Sequence, residues 1–184
     1  MGGRGSSSAS SRRSNEKPKQ KGHLSAGEAP KTPEDTAKYL GVSVERAKEL
    51  YGDVKAFTGS SYTEIRKAQR GATQDEAYRK KGENLESYIA SAPKWGGGTT
   101  YRGIGVDKKT AATLMDGWNK GAIIDINGNG TASWSTDKAV SRSFASKGEV
   151  HLVFSCKTQS RGTSIKHISQ FSHESEVLVS KKAK

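Results

Sequence analysis

The chain changes character at three consecutive glycines, Gly96, Gly97 and Gly98, and this change constrains its fold. Before them, periodic apolar residues and capping residues indicate helices. After them, short runs rich in β-branched residues and bounded by turn residues indicate strands. Helices first and strands later predict an α+β fold in which helices pack on a sheet, with the glycines as a flexible joint.

Four helices are predicted in the first half. Thr32 is a capping hydroxyl followed by Pro33 at the first helical position, and Ser43 is placed to cap a second helix. Residues 63–70 and 84–90 carry the third and fourth helical patterns. The predicted breaks are Gly59, Gly71 and Gly82.

The second half predicts six short strands and two helices. The strands are expected at residues 99–104, 122–126, 131–135, 149–154, 164–168 and 174–179, and the helices at residues 108–118, capped by Asp107, and 137–145. Between the second and third strands, Asn127-Gly128-Asn129-Gly130 is a turn signature that favours a hairpin.

Composition divides the chain into a tail, residues 1–31, and one domain, residues 32–184. The tail is basic and rich in Gly and Ser, and it offers almost nothing to bury, so we expect it to be disordered. The net charge is +12, of which seven Lys and Arg against two Glu leave +5 in the tail. This charge suggests an acidic partner but does not choose among nucleic acid, an anionic membrane and a polyanionic cofactor.

The apolar segments are short. No run of apolar residues is long enough for a membrane span, and the basic start has no apolar core of a secretory signal, so we expect neither. Cys156 is the only cysteine, which excludes an internal disulfide and favours a buried structural thiol. A cytosolic site of action fits this composition.

Two glutamates, Glu174 and Glu176, stand at the start of the last apolar run. On an extended strand this spacing puts both carboxylates on one face. Like charges side by side cost stability unless a substrate or a basic partner uses them. The alternative is an ordinary solvated strand edge.

Two earlier positions also suggest a ligand site. Arg102 precedes Gly103, and glycine permits close approach of a ligand while arginine suits bidentate phosphate binding; the alternative is a strand-end arginine in water. Ser133 and Ser135 would share one strand face, with Trp134 pointing the other way. Ser-Trp-Ser is also compatible with an ordinary half-buried strand.

Taken in chain order, these motifs resemble a known signature. Thr99-Thr100-Tyr101-Arg102-Gly103-Ile104, Ser133-Trp134-Ser135-Thr136 and Glu174-Ser175-Glu176 resemble the Arg, Ser-x-Ser, Glu-x-Glu signature of mono-ADP-ribosyltransferases. Ala56-Phe57-Thr58-Gly59-Ser60-Ser61-Tyr62, followed by Ile65 and Arg70, resembles the first helical segment of the clostridial-type toxins, and residues 168–178 resemble their turn-turn loop and catalytic strand. The resemblance covers about residues 53–180 and implies a helical first part packed on a two-sheet, strand-built cleft that binds NAD.

The resemblance assigns catalytic roles. Cleavage of the bond between nicotinamide and ribose develops positive charge on the sugar, which requires a nearby carboxylate. Glu176 would supply it and bond the ribose hydroxyl, and Ser133 would orient Glu176. Glu174 would face the acceptor, and a glutamate at that place implies that the acceptor is a protein arginine. Phe171 would touch the protein substrate.

The resemblance also assigns a cofactor site. Arg102, with Gly103 and Ser135, would hold the NAD phosphates and the adjoining ribose. Lys147 stands where related toxins often carry an arginine, so a weaker point-charge contact is expected. For Phe144 two roles are open: an anchor of its helix in the core, which is the usual role of a buried phenylalanine, or a wall of the nicotinamide pocket. Trp134 departs from the usual Ser-Thr-Ser.

Metal and phosphate-loop signatures are missing from the sequence. His173 lies beside Glu174, but His23, His151 and His167 show no ligand spacing with it, so we expect a solvated loop histidine and no metal. No Walker or dinucleotide fingerprint occurs either. The resemblance implies that NAD is a substrate held in a split cleft, and the absence of these fingerprints is consistent with that.

Three functions follow for the chain. The leading hypothesis is an NAD-dependent mono-ADP-ribosyltransferase acting on a protein arginine. The sequence leaves the oligomeric state open, and a monomer is assumed. The alternatives are an NAD glycohydrolase without a protein acceptor and a basic module that binds nucleic acid or another polyanion. The opening Met1-Gly2-Gly3-Arg4-Gly5-Ser6-Ser7-Ser8 resembles the starts of phage structural proteins, which suggests a phage-encoded effector in host cytoplasm; a secreted toxin component delivered by a partner is the rival origin.

Overall fold

The computed structural model describes residues 29–156 and 162–182. The predicted tail therefore lies outside the described residues up to residue 28. The helices are α1 (Pro33–Leu40), α2 (Val44–Phe57), α3 (Tyr62–Gln69), α4 (Glu76–Ser91), α5 (Lys108–Asn119) and α6 (Lys138–Ala145). The strands are β1 (Thr100–Val106), β2 (Ala132–Ser135), β3 (Val150–Cys156), β4 (Gly162–Ser164) and β5 (Glu176–Val179), and a 3₁₀ turn spans Ser172–Glu174. The predicted α+β class is confirmed.

Local capping sets the helix starts. The side-chain oxygens of Thr32, Ser43 and Asp107 accept hydrogen bonds from backbone N–H groups in the first turns of α1, α2 and α5, at 3.0, 3.2 and 2.8 Å. Asp137 does the same for α6, at 2.7 Å. These bonds satisfy amide groups that have no partner inside the helix, so the predicted starts of these helices are confirmed.

Helix α4 is longer than predicted and runs through Gly82 without a break. It begins after Asp75, whose carboxylate accepts the N–H groups of Ala77 and Tyr78 at 2.9 and 3.3 Å. A Cβ at Gly82 would lie 2.8 Å from Cγ of Gln69 on α3. Gly82 therefore permits close packing of α3 and α4, and this packing outweighs its low helix propensity.

The five strands form one antiparallel sheet within the described residues, in the order β3-β1-β2-β5-β4. The expected two-sheet arrangement is therefore wrong. The two parts of the sheet, β3-β1 and β2-β5-β4, nevertheless meet at a single registered pair, Tyr101 with Ser135. Strand β1 pairs with β3 along its whole length, from Thr100 with Cys156 to Val106 with Val150.

The strand predicted at residues 122–126 is a loop. The Asp125 carboxylate accepts the N–H groups of Asn127, Gly128 and Asn129, at 3.0, 2.9 and 2.7 Å, which folds the chain into a turn. Gly128 and Asn129 have positive φ angles of 60° and 53°. The predicted turn is confirmed, but the hairpin is wrong because Asp125 holds these amides.

The strand predicted at residues 164–168 ends at Ser164. A turn follows, in which the backbone N–H of Ile168 donates to the carbonyl of Ile165 at 2.8 Å. Both isoleucines are buried in the main core. This core lies between the first four helices and the sheet, and its members include Leu50, Phe57, Ile65, Tyr88, Ile165 and Leu178. Burial of these two isoleucines therefore fixes the point from which the last loop and β5 begin.

A smaller apolar cluster lies around Ala132, Trp134 and Val179, with Phe154 and Cys156 packed against it. Cys156 is half-buried, so its thiol packs at the edge of this cluster and is less enclosed than predicted. No helix in the described ranges has the length and apolar character needed to cross a bilayer.

Helix α6 lies directly on strand β1, and two glycines allow the contact. A Cβ at Gly103 would lie 1.6 Å from the backbone oxygen of Ser141, and one at Gly105 would lie 2.3 Å from the backbone nitrogen of Gly148. The obstacles are backbone atoms, which cannot rotate away. Packing against α6 alone therefore requires glycine at position 103, and no ligand is needed to explain this residue.

Replacing Gly103 tests this packing. Gly103→Ala should lower the free energy of unfolding by about 3 kcal/mol or more, because α6 must move to admit the methyl group. Gly52→Ala is the matched control, since a Cβ there has no atom within 4 Å inside α2, and it should be neutral or stabilise by about 0.5–1 kcal/mol. Urea unfolding measures both; equal stabilities for the two variants would contradict the close α6–β1 packing.

Candidate active site

A cavity of about 470 Å³ lies where β1 and β2 part, bounded by the end of α2, helix α3, helix α6 and the loop that precedes β5. Its volume is that of an ordinary small-molecule site. The nine residues singled out from the sequence all line it: Arg102, Gly103, Ser133, Ser135, Phe144, Lys147, Phe171, Glu174 and Glu176. The fold therefore brings together residues that are up to 74 positions apart in the chain.

Glu176 is the deepest acid of the cavity. It is the first residue of β5, pairs in register with Ser135, and its relative exposure is 6%. Ser169 Oγ donates to Glu176 Oε2 at 3.2 Å, and the Ser133 side chain is a second hydrogen-bond partner. Burial raises the pKa of Glu176 above its ordinary value; the bonds from Ser133 and Ser169 oppose this, and the nearby charge of Glu174 adds to it.

Glu174 reaches the cavity by a different route from the predicted one. It lies in the 3₁₀ turn, and Ser175 after it has a φ of 47°, so the two glutamates do not share the face of one extended strand. The predicted shared strand face is therefore wrong, although both side chains line the cavity. Burial raises the pKa of Glu174, opposed by the charges of His173 and Lys147.

Arg102 crosses the gap between the diverging strands β1 and β2. Its Nη1 donates to the backbone carbonyl of Ser133 at 2.7 Å, and Tyr62 is a side-chain partner. Burial lowers the pKa of Arg102, and Tyr62 opposes that change. Arg102 Nε is buried without a hydrogen-bond partner among the described residues. A buried guanidinium N–H without a partner is rare in proteins, and it marks Arg102 as a residue whose role needs an explanation.

Two residues of α3, Tyr62 and Arg66, support Arg102 and were not assigned roles from the sequence. Arg66 is 6% exposed, and its Nη1 donates to Tyr62 Oη at 3.1 Å and to the Thr131 carbonyl at 3.2 Å. It also bonds the Asn127 carbonyl. Burial alone would raise the pKa of Tyr62, but the charges of Arg102 and Arg66 outweigh it and lower that pKa. The signal in the sequence was a charged residue on the buried face of a helix, next to Ile65.

The rim of the cavity carries exposed aromatic rings. Phe144 is 43% exposed, with Lys147 Nζ 5.1 Å from its ring centroid. Phe144 is therefore a cavity residue, and the alternative of a core anchor is not what the structure shows. Phe171 is 44% exposed, and its ring stands edge-on to His173 at 6.2 Å. His173 itself is exposed, as predicted for a loop histidine.

A metal group and a second cavity would be alternative sites in the described part of the chain. In residues 29–156 and 162–182, no three His, Cys, Asp or Glu side chains form a group that could hold a metal ion. A larger cavity of about 850 Å³ lies between α5 and β3, with a mainly apolar lining that includes Leu114, Trp118 and Phe154. It contains none of the nine residues above, so the smaller cavity is the candidate active site.

No protein-family model matches this sequence, and no curated protein sequence matches it. Solved structures match its fold. They include the ADP-ribosyltransferase HopU1 of Pseudomonas syringae (20% identity, 86% of this chain and 81% of that chain, TM-score 0.55) and Vis, an ADP-ribosyltransferase from Vibrio splendidus (19%, 88% and 77%, TM-score 0.55). Exoenzyme S from Pseudomonas aeruginosa, bound to carba-NAD and human 14-3-3 protein beta, matches with 19% identity, 81% and 70% coverage and a TM-score of 0.54.

The chain has an ADP-ribosyltransferase fold. These likenesses extend over more than four-fifths of its length, so they include both the helical first part and the sheet. At this level of identity the likeness establishes the fold alone. In this ADP-ribosyltransferase fold, the assignment of chemistry depends on the residues of the 470 Å³ cavity.

The support of the cavity by Arg66 can be tested through stability. Arg66→Met should lower the free energy of unfolding by about 2–4 kcal/mol, because two buried carbonyls lose a charged donor. Arg79→Met is the control: Arg79 is an exposed residue of α4 with an i, i+3 pair to Glu76, and its replacement should change stability little. Chemical denaturation compares them, and an equally small effect at Arg66 would contradict its buried bonding.

Proposed function

We propose that the protein is an NAD-dependent mono-ADP-ribosyltransferase that transfers ADP-ribose to a protein arginine and releases nicotinamide. The observation that carries the proposal is the convergence of Glu176, Glu174, Ser133 and Arg102 on one cavity. The fold supports it, because exoenzyme S, which shares the fold, is bound to carba-NAD. We place the protein in the Arg, Ser-x-Ser, Glu-x-Glu class on the strength of these residues.

The lining of the cavity offers positively charged groups for the two phosphates of NAD. The free Nε–H of Arg102 is a buried, charged donor, and such donors bind phosphate oxygens strongly. Gly103 lines the same cavity next to Arg102, and α6 packs against its other side. Lys147 adds a flexible positive charge at the rim. Arg102, Gly103, Ser135 and Lys147 would hold NAD, with Phe144 against the nicotinamide.

The chemistry requires one bond to break and one to form. The bond between the nicotinamide nitrogen and C1′ of the ribose breaks, and nicotinamide leaves with the electron pair. Glu176, ionised and held by Ser133, stabilises the positive charge that develops on the ribose. An arginine nitrogen then bonds to C1′ and loses one proton. We assign to Glu174 the alignment of the guanidinium and the removal of that proton.

The choice of arginine rests on Glu174 and on its surroundings. Glu174 lines the cavity beside Phe171, whose exposed ring offers a contact for a protein acceptor. A carboxylate can hold a guanidinium through two parallel hydrogen bonds, a geometry that an amide acceptor does not match. Vis, which shares this fold, has been solved in complex with agmatine, a guanidinium compound.

We further propose that the protein is a toxin or a phage-encoded effector, and that it modifies a protein in the cytoplasm of a target cell. The fold supports an effector role because HopU1, Vis and exoenzyme S are bacterial ADP-ribosyltransferases. The N-terminal residues 1–31 are proposed to be a basic tail outside the catalytic domain, residues 32–184.

Incubation with NAD and candidate acceptor proteins, followed by intact-mass analysis, tests the proposal. An acceptor gaining one ADP-ribose, with release of nicotinamide, is the expected result. Nicotinamide release without any modified protein would favour an NAD glycohydrolase. The absence of both, with salt-dependent binding to nucleic acid, would replace the enzyme with a basic binding module.

Replacing each glutamate separates the two roles. Glu176→Gln should reduce both NAD cleavage and transfer by at least about 100-fold, because the charge that stabilises the ribose is lost. Glu174→Gln should abolish transfer and leave much of the NAD cleavage. Glu83→Gln, at an exposed position of α4, is the matched control. Nicotinamide release and acceptor mass report the two activities, and equal losses of both in the two variants would contradict these separate roles.

The pH dependence of NAD cleavage follows from the burial of Glu176. The active form is the carboxylate, so the rate should be full above the pKa of Glu176 and fall as the pH drops through it. Because burial raises that pKa, the fall should begin at a higher pH than for an exposed glutamate, whose pKa is about 4.3. A rate that stays constant down to pH 4, measured with a folding control at each pH, would disprove this.

A further inference from the structure

The loop between Ile168 and β5 carries one hydroxyl, that of Ser169, with two partners. Ser169 Oγ donates to Glu176 Oε2 at 3.2 Å and accepts the backbone N–H of Phe171 at 3.1 Å. From this geometry we infer that Ser169 is a positioning residue that holds the Glu176 carboxylate in register with the loop bearing Phe171 and Glu174. The inference rests on the proposed function and adds a residue to it.

The loop is fixed to the rest of the protein at both ends. At its start, the Gln170 backbone N–H donates to Thr58 Oγ1 at 3.2 Å, and Gln170 Nε2 donates to the Lys55 carbonyl at 3.1 Å. At its end, Ser135 Oγ donates to the Glu174 carbonyl at 2.6 Å. The loop therefore has defined anchors on α2 and β2, and Ser169 connects it to the buried acid between them.

The two bonds of Ser169 depend on each other. A serine hydroxyl has one proton, and here that proton points to Glu176 while a lone pair accepts the Phe171 N–H. An accepted bond polarises the hydroxyl and strengthens the bond that it donates. A change in the backbone at Phe171 therefore changes the orientation of Glu176, which links the acceptor side of the cavity to the NAD side.

The charged neighbours of Glu176 make a neutral hydroxyl partner useful. Glu174 from the 3₁₀ turn, Arg102 from β1, Tyr62 from α3 and Lys147 after α6 line the same cavity. Hydrogen bonds from Ser169 and Ser133 favour the ionised form of Glu176 against burial and against the charge of Glu174. A lysine or arginine at position 169 would neutralise the carboxylate. A hydroxyl stabilises the ionised form and leaves its charge uncompensated.

Replacement of Ser169 tests the inference with a readout that does not need NAD. In Ser169→Ala, the titration midpoint of the Glu176 carboxyl, followed by carbon-13 NMR and assigned with Glu176→Gln, should move to higher pH. NAD cleavage should fall by about 3- to 10-fold near neutral pH, with its acidic limb moved in the same direction. Ser169→Thr, which keeps the hydroxyl, should restore the midpoint and most of the rate.

Ser172→Ala is the matched control, an exposed serine of the same loop, and it should leave both the midpoint and the rate unchanged. If the wild-type protein cleaves NAD and Ser169→Ala titrates and reacts like it, Ser169 is not a positioning residue, and the proposed function stands. If the wild-type protein neither cleaves NAD nor modifies a protein, the proposed function fails, and the titration midpoint of Glu176 in Ser169→Ala alone decides whether Ser169 positions that carboxylate.

Discussion

The candidate site depends on the place where strands β1 and β2 meet through one residue pair, Tyr101 with Ser135. On its other side, Ser135 is in register with Glu176 of β5. One residue of β2 therefore fixes both the point where the sheet opens and the position of the buried acid. In the described residues no further register pair joins β1 to β2, and the Arg102 side chain on β1 donates to the Ser133 carbonyl at 2.7 Å. The cavity is the space that this divergence leaves.

Residues with local partners were predictable from the sequence. The caps at Thr32, Ser43 and Asp107 each bond an amide three positions further along the chain, so both partners lie in one short stretch of sequence. The nine candidate residues were found because their order along the chain resembles a known signature. Two predictions were wrong: that the strands form two sheets, and that Glu174 and Glu176 share one face of a strand. Strand pairing and the positive φ of Ser175 are decided by distant packing.

Residues whose partners are remote in the chain were missed. Arg66 bonds to the carbonyls of Asn127 and Thr131, which lie 61 and 65 positions away, and it thereby fixes Tyr62 beside Arg102. No local pattern distinguishes such an arginine from one in solvent, apart from its position on an apolar helix face. Ser169 was likewise one serine among several in a polar loop until the fold placed it next to Glu176.

Neutral groups hold the two buried charged residues of the cavity, Glu176 and Arg102. Within the described ranges these two residues form no ion pair with each other. Arg102 bonds a carbonyl and a tyrosine, while Glu176 bonds two serines. Burial of an unpaired charge costs stability, which the raised pKa of Glu176 reflects. A direct ion pair would recover that stability, but it would also neutralise both charges. Neutral partners position the two groups and leave their charges available to a ligand that carries both phosphates and a developing positive centre.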